Sequence, residues 1–225
     1  MGAELDQQRL VLWAGSALPD APGDIFPRGN FGEGVLVSYS NSSGAPHPQP
    51  EKQRLPQQPK FLALWLPAEE HDPETLVDAF LDHFTPVLGE RSLVTHCIGP
   101  YEPTGGLTPP RRDAEFAGLM VGLTDCIEPN ELSAFQSWYD DVHAAEALAP
   151  GIFETARRYR RTHTVRTFAA ETPPHTLTAP EFLALYESRR PGAEAVAELM
   201  LPAHRPPSPL HPSCRVRAVW AFDRR

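Results

Sequence analysis

Short apolar runs alternate along the chain with amphipathic stretches, and the two kinds of period predict different elements. Runs at Arg9 to Ala14, Gly34 to Tyr39, Lys60 to Leu66, Ser92 to Ile98, Ala117 to Leu123, Phe153 to Val165, Phe182 to Tyr186 and Cys214 to Phe222 are rich in Val, Leu, Tyr or Phe. Gly or Pro flanks most of them, as strands require. A helical period shows in three other places. The stretch from Asp72-Pro73 to Phe84 has an Asp N-cap, Pro at the first turn and apolar Leu76, Phe80 and Phe84. In the stretch from Asn130 to Leu148, Asn130 can cap, Pro150-Gly151 stops, and Leu132, Phe135, Tyr139 and Val142 line one face. The third, about Gly192 to Leu201, is alanine-rich and ends at Pro202.

In order, residues 117–222 read β-α-β-β-α-β, the split βαβ of a ferredoxin-like fold. Its helices cover one sheet face, and the other apolar face needs a second sheet. The first half ends in the same β-α-β order, and Phe61-Leu62-Ala63-Leu64-Trp65 echoes Phe182-Leu183-Ala184-Leu185-Tyr186. The expected fold is therefore α+β: two ferredoxin-like halves, 1–110 (diverged) and 111–225, packed sheet to sheet as a barrel. The first half shows no counterpart of the Asn130 helix, because Gly15 to Asn30 is rich in Pro and Gly. Asn41 to Pro59, Pro103 to Asp113, Glu171 to Pro180 and Pro202 to Pro212 read as long loops, which often serve as lids or site walls.

Composition narrows the function classes. The formal net charge of −9 disfavours nucleic acid as a partner. The basic run Arg157-Arg158-Tyr159-Arg160-Arg161 reads as a strand with arginines on both faces. Three scattered cysteines give neither a disulfide framework nor a zinc site and read as reduced thiols. No stretch is long enough to span a membrane, and the acidic first residues do not form a signal peptide, so a cytoplasmic protein is expected. No phosphate-binding Gly loop, His-Glu-x-x-His or nucleophile elbow occurs.

Candidate chemistry gathers on the Asn130 helix. Tyr139 and His143 are four apart and Asp140 and His143 three apart, spacings that make neighbours on a helix surface. A histidine beside a carboxylate and a phenol can act as a general base, with Asp140 fixing its tautomer. The bland alternative is a solvated histidine near a helix end. On the next strand Arg157, Tyr159 and Arg161 share one face, and Arg158 and Arg160 the other. One set is expected to point between sheet and helix and hold an anionic or enolic oxygen. Trp138 and Phe135 suit a core or pocket wall. Asp125, at a strand end, suits either a cleft or a cap before Pro129.

The segment from Phe135 through Trp138, Tyr139, Asp140 and His143, then Pro150-Gly151-Ile152-Phe153, then Ala156-Arg157-Arg158-Tyr159, resembles the signature of the EthD-like families of the dimeric α+β barrel superfamily. Those families show a Trp-Tyr-x-x-x-His helix, a Pro-Gly-Phe turn and an Arg-Arg-Tyr strand; here Ala144-Ala145 replaces the common Leu-Pro after the histidine. The resemblance implies a cofactor-independent cyclase, dehydratase, decarboxylase or monooxygenase acting on an enolisable or aromatic polyketide-like small molecule. It assigns catalysis to His143, Asp140 and Tyr139, and substrate binding to Trp138, Asp125, Arg157 and Tyr159. No metal or cofactor is expected, and a homodimer is allowed. Two alternatives are a haem enzyme of the same superfamily with His143 as ligand, and a non-catalytic ligand-binding or scaffold barrel.

Overall fold

The computed structural model describes residues 8–17, 29–31, 34–41, 59–68, 72, 75–88, 93–106, 116–163 and 179–224. Among the described residues, nine strands form one antiparallel sheet: β1 (Leu10–Ala17), β2 (Gly29–Phe31), β3 (Gly34–Asn41), β4 (Phe61–Pro67), β5 (Leu93–Gly106), β6 (Gly118–Cys126), β7 (Thr155–Arg161), β8 (Phe182–Ser188) and β9 (Cys214–Arg224). The order is β2-β3-β4-β1-β5-β7-β8-β6-β9, and β3 also pairs with β9. The start of β3 pairs with β2, while Tyr39, Ser40 and Asn41 pair with Arg224, Asp223 and Phe222. That second pairing closes the sheet on itself, so the barrel is complete within one chain. Closure leaves no long open edge among the described strands.

The strands β3-β4-β1-β5 and β7-β8-β6-β9 have the same internal order: second, third, first, fourth. They meet edge to edge, β5 against β7 and β9 against β3. The helices are α1 (Leu76–Leu88), α2 (Leu132–Trp138), α3 (Ala144–Leu148) and α4 (Gly192–Leu199).

Alternation along the strands sorts the apolar side chains to two sides. Leu10, Leu12, Leu62, Leu64, Leu119, Val121, Leu183, Leu185 and Trp220 point inward and fill the barrel. Outside, Val11, Trp13, Phe61 and Trp65 pack against Leu76, Val77 and Phe80 of α1. Met120, Phe182, Ala184 and Tyr186 pack against Phe135, Tyr139, Ala144, Val196 and Leu199 on the helices of the second half. Because both faces are buried, strands such as β4 and β8 are buried at every residue and read in sequence as continuous apolar runs.

Several boundaries differ from expectation. Helix α1 begins at Leu76: the Asp72 carbonyl accepts from the Thr75 N–H and Oγ1, and the Thr75 carbonyl takes the Ala79 N–H. The side chain of Phe84 lies outside the described residues. Strand β5 runs on to Gly106 through Pro100 and Pro103, where a loop was expected, with a register shift between Pro103 and Gly105 absorbing the irregularity. The short β2 was not anticipated. The expected loops at 42–58, 107–113 and 171–178, and the comparison of 18–28 with the Asn130 helix, lie outside the described residues. No described helix is long and apolar enough to cross a membrane.

Candidate active site

The helix expected as one regular element over Asn130 to Leu148 is built in four pieces. A 3-10 turn (Pro129–Glu131) leads into α2, a π-helical turn (Tyr139–His143) follows, and α3 completes it. Asn130 makes no cap; it is exposed inside the first turn, whose bond runs from the Glu131 N–H to the Glu128 carbonyl. In the π turn the Ala144 N–H reaches back to the Tyr139 carbonyl, a five-residue span. The extra residue shifts the phase of the helix. Phe135 and Tyr139 are buried in step, but the next buried positions are Ala144 and Ala147, and Val142 is only half-buried.

The same shift sets the surroundings of His143. Trp138 and His143, five apart, stack face to face at 4.9 Å with 22° between planes, whereas a regular helix turns such a pair to different sides. Tyr139 meets the His143 ring edge-on at 4.9 Å. His211, from the loop before β9, lies 5.8 Å from the Trp138 ring and 6.0 Å from Phe135. His211 Nδ1 accepts from the Ser213 backbone N–H at 3.2 Å, which leaves Nε2 as the protonated donor. Glu146 holds the same loop, accepting from Ser208 N at 3.1 Å and Ser208 Oγ at 2.5 Å. The His143 pKa lies below its ordinary value, because burial disfavours the imidazolium and the Arg158 charge adds to this, while Glu146 opposes it. The imidazole is therefore neutral near pH 7 and able to accept a proton.

Arg158 occupies the layer between helix and sheet, at 2% exposure. Its Nη1 donates to Asp140 Oδ1 at 2.8 Å and to the Gln136 carbonyl at 3.3 Å. Its guanidinium carbon sits 4.1 Å from the centre of the Tyr139 ring, with Phe182 and Phe135 at 5.6 and 6.0 Å. Its Nη2 is buried without a hydrogen-bond partner. Tyr186 Oη donates to Tyr139 Oη at 3.3 Å, and a Cβ on Gly122 would lie 3.7 Å from that Tyr139 oxygen. Burial raises the Tyr139 phenol pKa, so it stays protonated.

The sheet separates the residues that the sequence suggested as one constellation. Trp138, Tyr139, Asp140 and His143 lie on the helix side. Arg157, Tyr159 and Asp125 lie on the barrel side, apart from the helix residues. Arg157 Nη1 donates to Glu187 Oε2 at 2.7 Å, and Thr155 Oγ1 donates to the same oxygen at 2.9 Å. Tyr159 is part of the barrel filling. Asp125 accepts from the Glu181 N–H at 2.8 Å and from Arg217 Nη1 at 2.7 Å, joining β6 to β8 and β9 at one barrel end. The partner of Asp140 is Arg158, so Asp140 braces the arginine and not the histidine; the carboxylate whose charge bears on His143 is Glu146.

Arg158 carried a sequence signal as a member of the alternate set on β7. Glu146 and His211 carried no such signal. No group of three or more potential metal ligands occurs among the described residues.

No family model and no curated relative matches the chain. Among solved structures it is similar to a mutant chlorite dismutase from Candidatus Nitrospira defluvii in complex with cyanide. The TM-score is 0.54 at 10% identity, over 96% of this chain and 90% of that one. It is also similar to an anthrone oxidase-like protein, with TM-score 0.48 and 11% identity over 100% of this chain and 93% of that one. The fold is the ferredoxin-like α+β barrel.

A haem held by His143 would have to displace side chains of this helix–sheet layer. Phe135, Phe153, Phe182 and Tyr186 are each at most 2% exposed there, and Tyr139 and Arg158 fill the space beside His143.

Proposed function

We propose that the chain is a cofactor-independent enzyme acting on a small enolisable or aromatic polyketide-like compound, as a cyclase, dehydratase or decarboxylase, with His143 as general acid/base. His143 takes a proton from carbon next to a carbonyl, the electron pair moves to the carbonyl oxygen, and Arg158 stabilises the enolate. Asp140 and the Tyr139 ring hold the guanidinium, and Trp138 walls the approach. The observation that carries this reading is Arg158 Nη2: a buried cationic donor without a hydrogen-bond partner, on a side chain whose charge bears on a neutral histidine. A buried donor left unmade is costly, and a ligand oxygen would satisfy it.

Exchange of the acidic carbon-bound hydrogens of a panel of aryl 1,3-diketones with solvent deuterium, followed by NMR, tests the reading. The native chain accelerates exchange, and H143A loses about 100-fold or more of it. Equal exchange by the folded H143A protein contradicts the assignment.

A non-catalytic scaffold barrel is the second reading, favoured by the burial of Phe135, Phe182 and Tyr186 in the layer under the helix. It predicts no exchange by either protein. The shared strand order of residues 1–110 and 111–225 supports their origin as a tandem repeat. Closure of the barrel within one chain means that a homodimer would use another surface, which light scattering in solution detects.

A further inference from the structure

Cys126 is the last residue of β6 and Cys214 the first of β9, and the antiparallel register sets them directly opposite each other. Opposed residues in such a pair project to the same sheet face. Here it is the helix side, where both cysteines pack against the cluster containing Phe135 and Tyr139. The adjoining pair fixes the kind of site they occupy. The Ile127 N–H donates to the Ser213 carbonyl at 2.9 Å, so residues 127 and 213 form a hydrogen-bonded pair and residues 126 and 214 a non-hydrogen-bonded one. In that class the Cα atoms approach to about 4.5 Å and the side chains come closest. The distance falls inside the range a disulfide spans, at its short end. Both thiols are free and half-buried.

We propose that Cys126 and Cys214 are a redox pair that closes reversibly into a cross-strand disulfide. With a disulfide such as oxidised glutathione as the two-electron oxidant, one cysteine thiolate attacks it and releases a glutathione thiolate. The second cysteine thiolate then attacks the protein sulfur of the mixed disulfide and releases the other. The pair loses two protons and two electrons, and one glutathione disulfide becomes two glutathiones. Burial pushes the Cys214 thiol up to about 11. That slows the first attack, but it also means that no stabilised thiolate holds the pair reduced. The location gives the bond a purpose. Cys126 leads through Glu128 into the site helix, and Cys214 ends the loop carrying Ser208 and His211. A bond between them ties the root of that loop to the root of the helix.

The full chain is incubated with oxidised glutathione under native conditions, then unfolded and alkylated with N-ethylmaleimide. One of the three thiols is expected to take label, with a loss of two hydrogens from the intact mass and a linked peptide joining Cys126 to Cys214; dithiothreitol restores all three. In C126S the remaining two cysteines form no internal bond. Hydrogen exchange of the Ile127 amide slows at least about tenfold in the oxidised protein. Three labelled thiols, a bond involving Cys97, a stable mixed disulfide or only intermolecular bonds overturn the redox pair. An unchanged Ile127 exchange rate overturns the tie between loop and helix.

Discussion

Arg157 and Arg158 are adjacent on one strand and both almost wholly buried, yet the two sides of the sheet treat them differently. On the barrel side, Arg157 meets Glu187, whose carboxylate is also held by Thr155, and the pair is enclosed at 5% and 7% side-chain exposure. On the helix side, Arg158 has a carboxylate on one nitrogen and aromatic faces around it, its Nη2 is unmade, and its partner Asp140 is 30% exposed. The first arrangement is satisfied and closed to water. The second is incomplete and opens toward solvent through Asp140, beside a neutral histidine. One strand thus carries one buried arginine enclosed with its carboxylate and a second with a buried donor still unmade.

Stability should separate the two most strongly. Removing one partner of a fully buried pair costs about 3–5 kcal/mol, so E187A is expected to lose that much in urea unfolding, or to fail to fold. D140A should lose about 1–2 kcal/mol, because its carboxylate is part-exposed and the guanidinium keeps its ring contacts. Equal losses would remove the distinction. Next in size, the loop tether should contribute about 1 kcal/mol: E146Q weakens the bonds to Ser208 and loosens His211 from Trp138, read as faster hydrogen exchange over residues 206–211.

The pH dependence sharpens the helix side further. The folded pKa of His143 is lowered from 6.5 by burial. The unfolded chain therefore binds this proton first as pH falls. The contribution to stability is full above pH 6.5 and declines as pH drops through the window toward the folded pKa. In H143Q that acid-side decline should flatten, measured by unfolding at a series of pH values; a profile parallel to the native one contradicts the burial of a neutral ring. The smallest expected effect is at Gly105, where a Cβ would come within 3.2 Å of Asp140 Oδ2. G105A should displace that carboxylate and lower activity a few-fold with little loss of stability.

Much of the fold was legible because its strands are short, apolar and punctuated. The eight runs read in sequence correspond to eight of the nine strands, and the order of the second half follows directly. What failed to show has physical causes. Pro100 and Pro103 look like strand breakers, yet β5 continues through them because its irregularity is taken up against β7. The run Arg157 to Arg161 puts arginine on both faces, so sequence could name two sets of side chains without choosing the one that meets the helix. The π turn leaves no mark in the period of Phe135, Tyr139 and Val142, and without it Trp138 and His143 are not neighbours. His211 reaches Trp138 only through the tertiary fold, from a Pro-rich loop far along the chain.

We propose that the helix side of the sheet, through His143 and Arg158, carries the chemistry, and that the barrel side does not. Solvent-deuterium exchange into aryl 1,3-diketones by the native, H143A and Y159F proteins, each shown folded by circular dichroism, tests it most directly. H143A should lose about 100-fold or more of the exchange, and Y159F should keep the native rate. A native rate in H143A, or the large loss in Y159F instead, would contradict it.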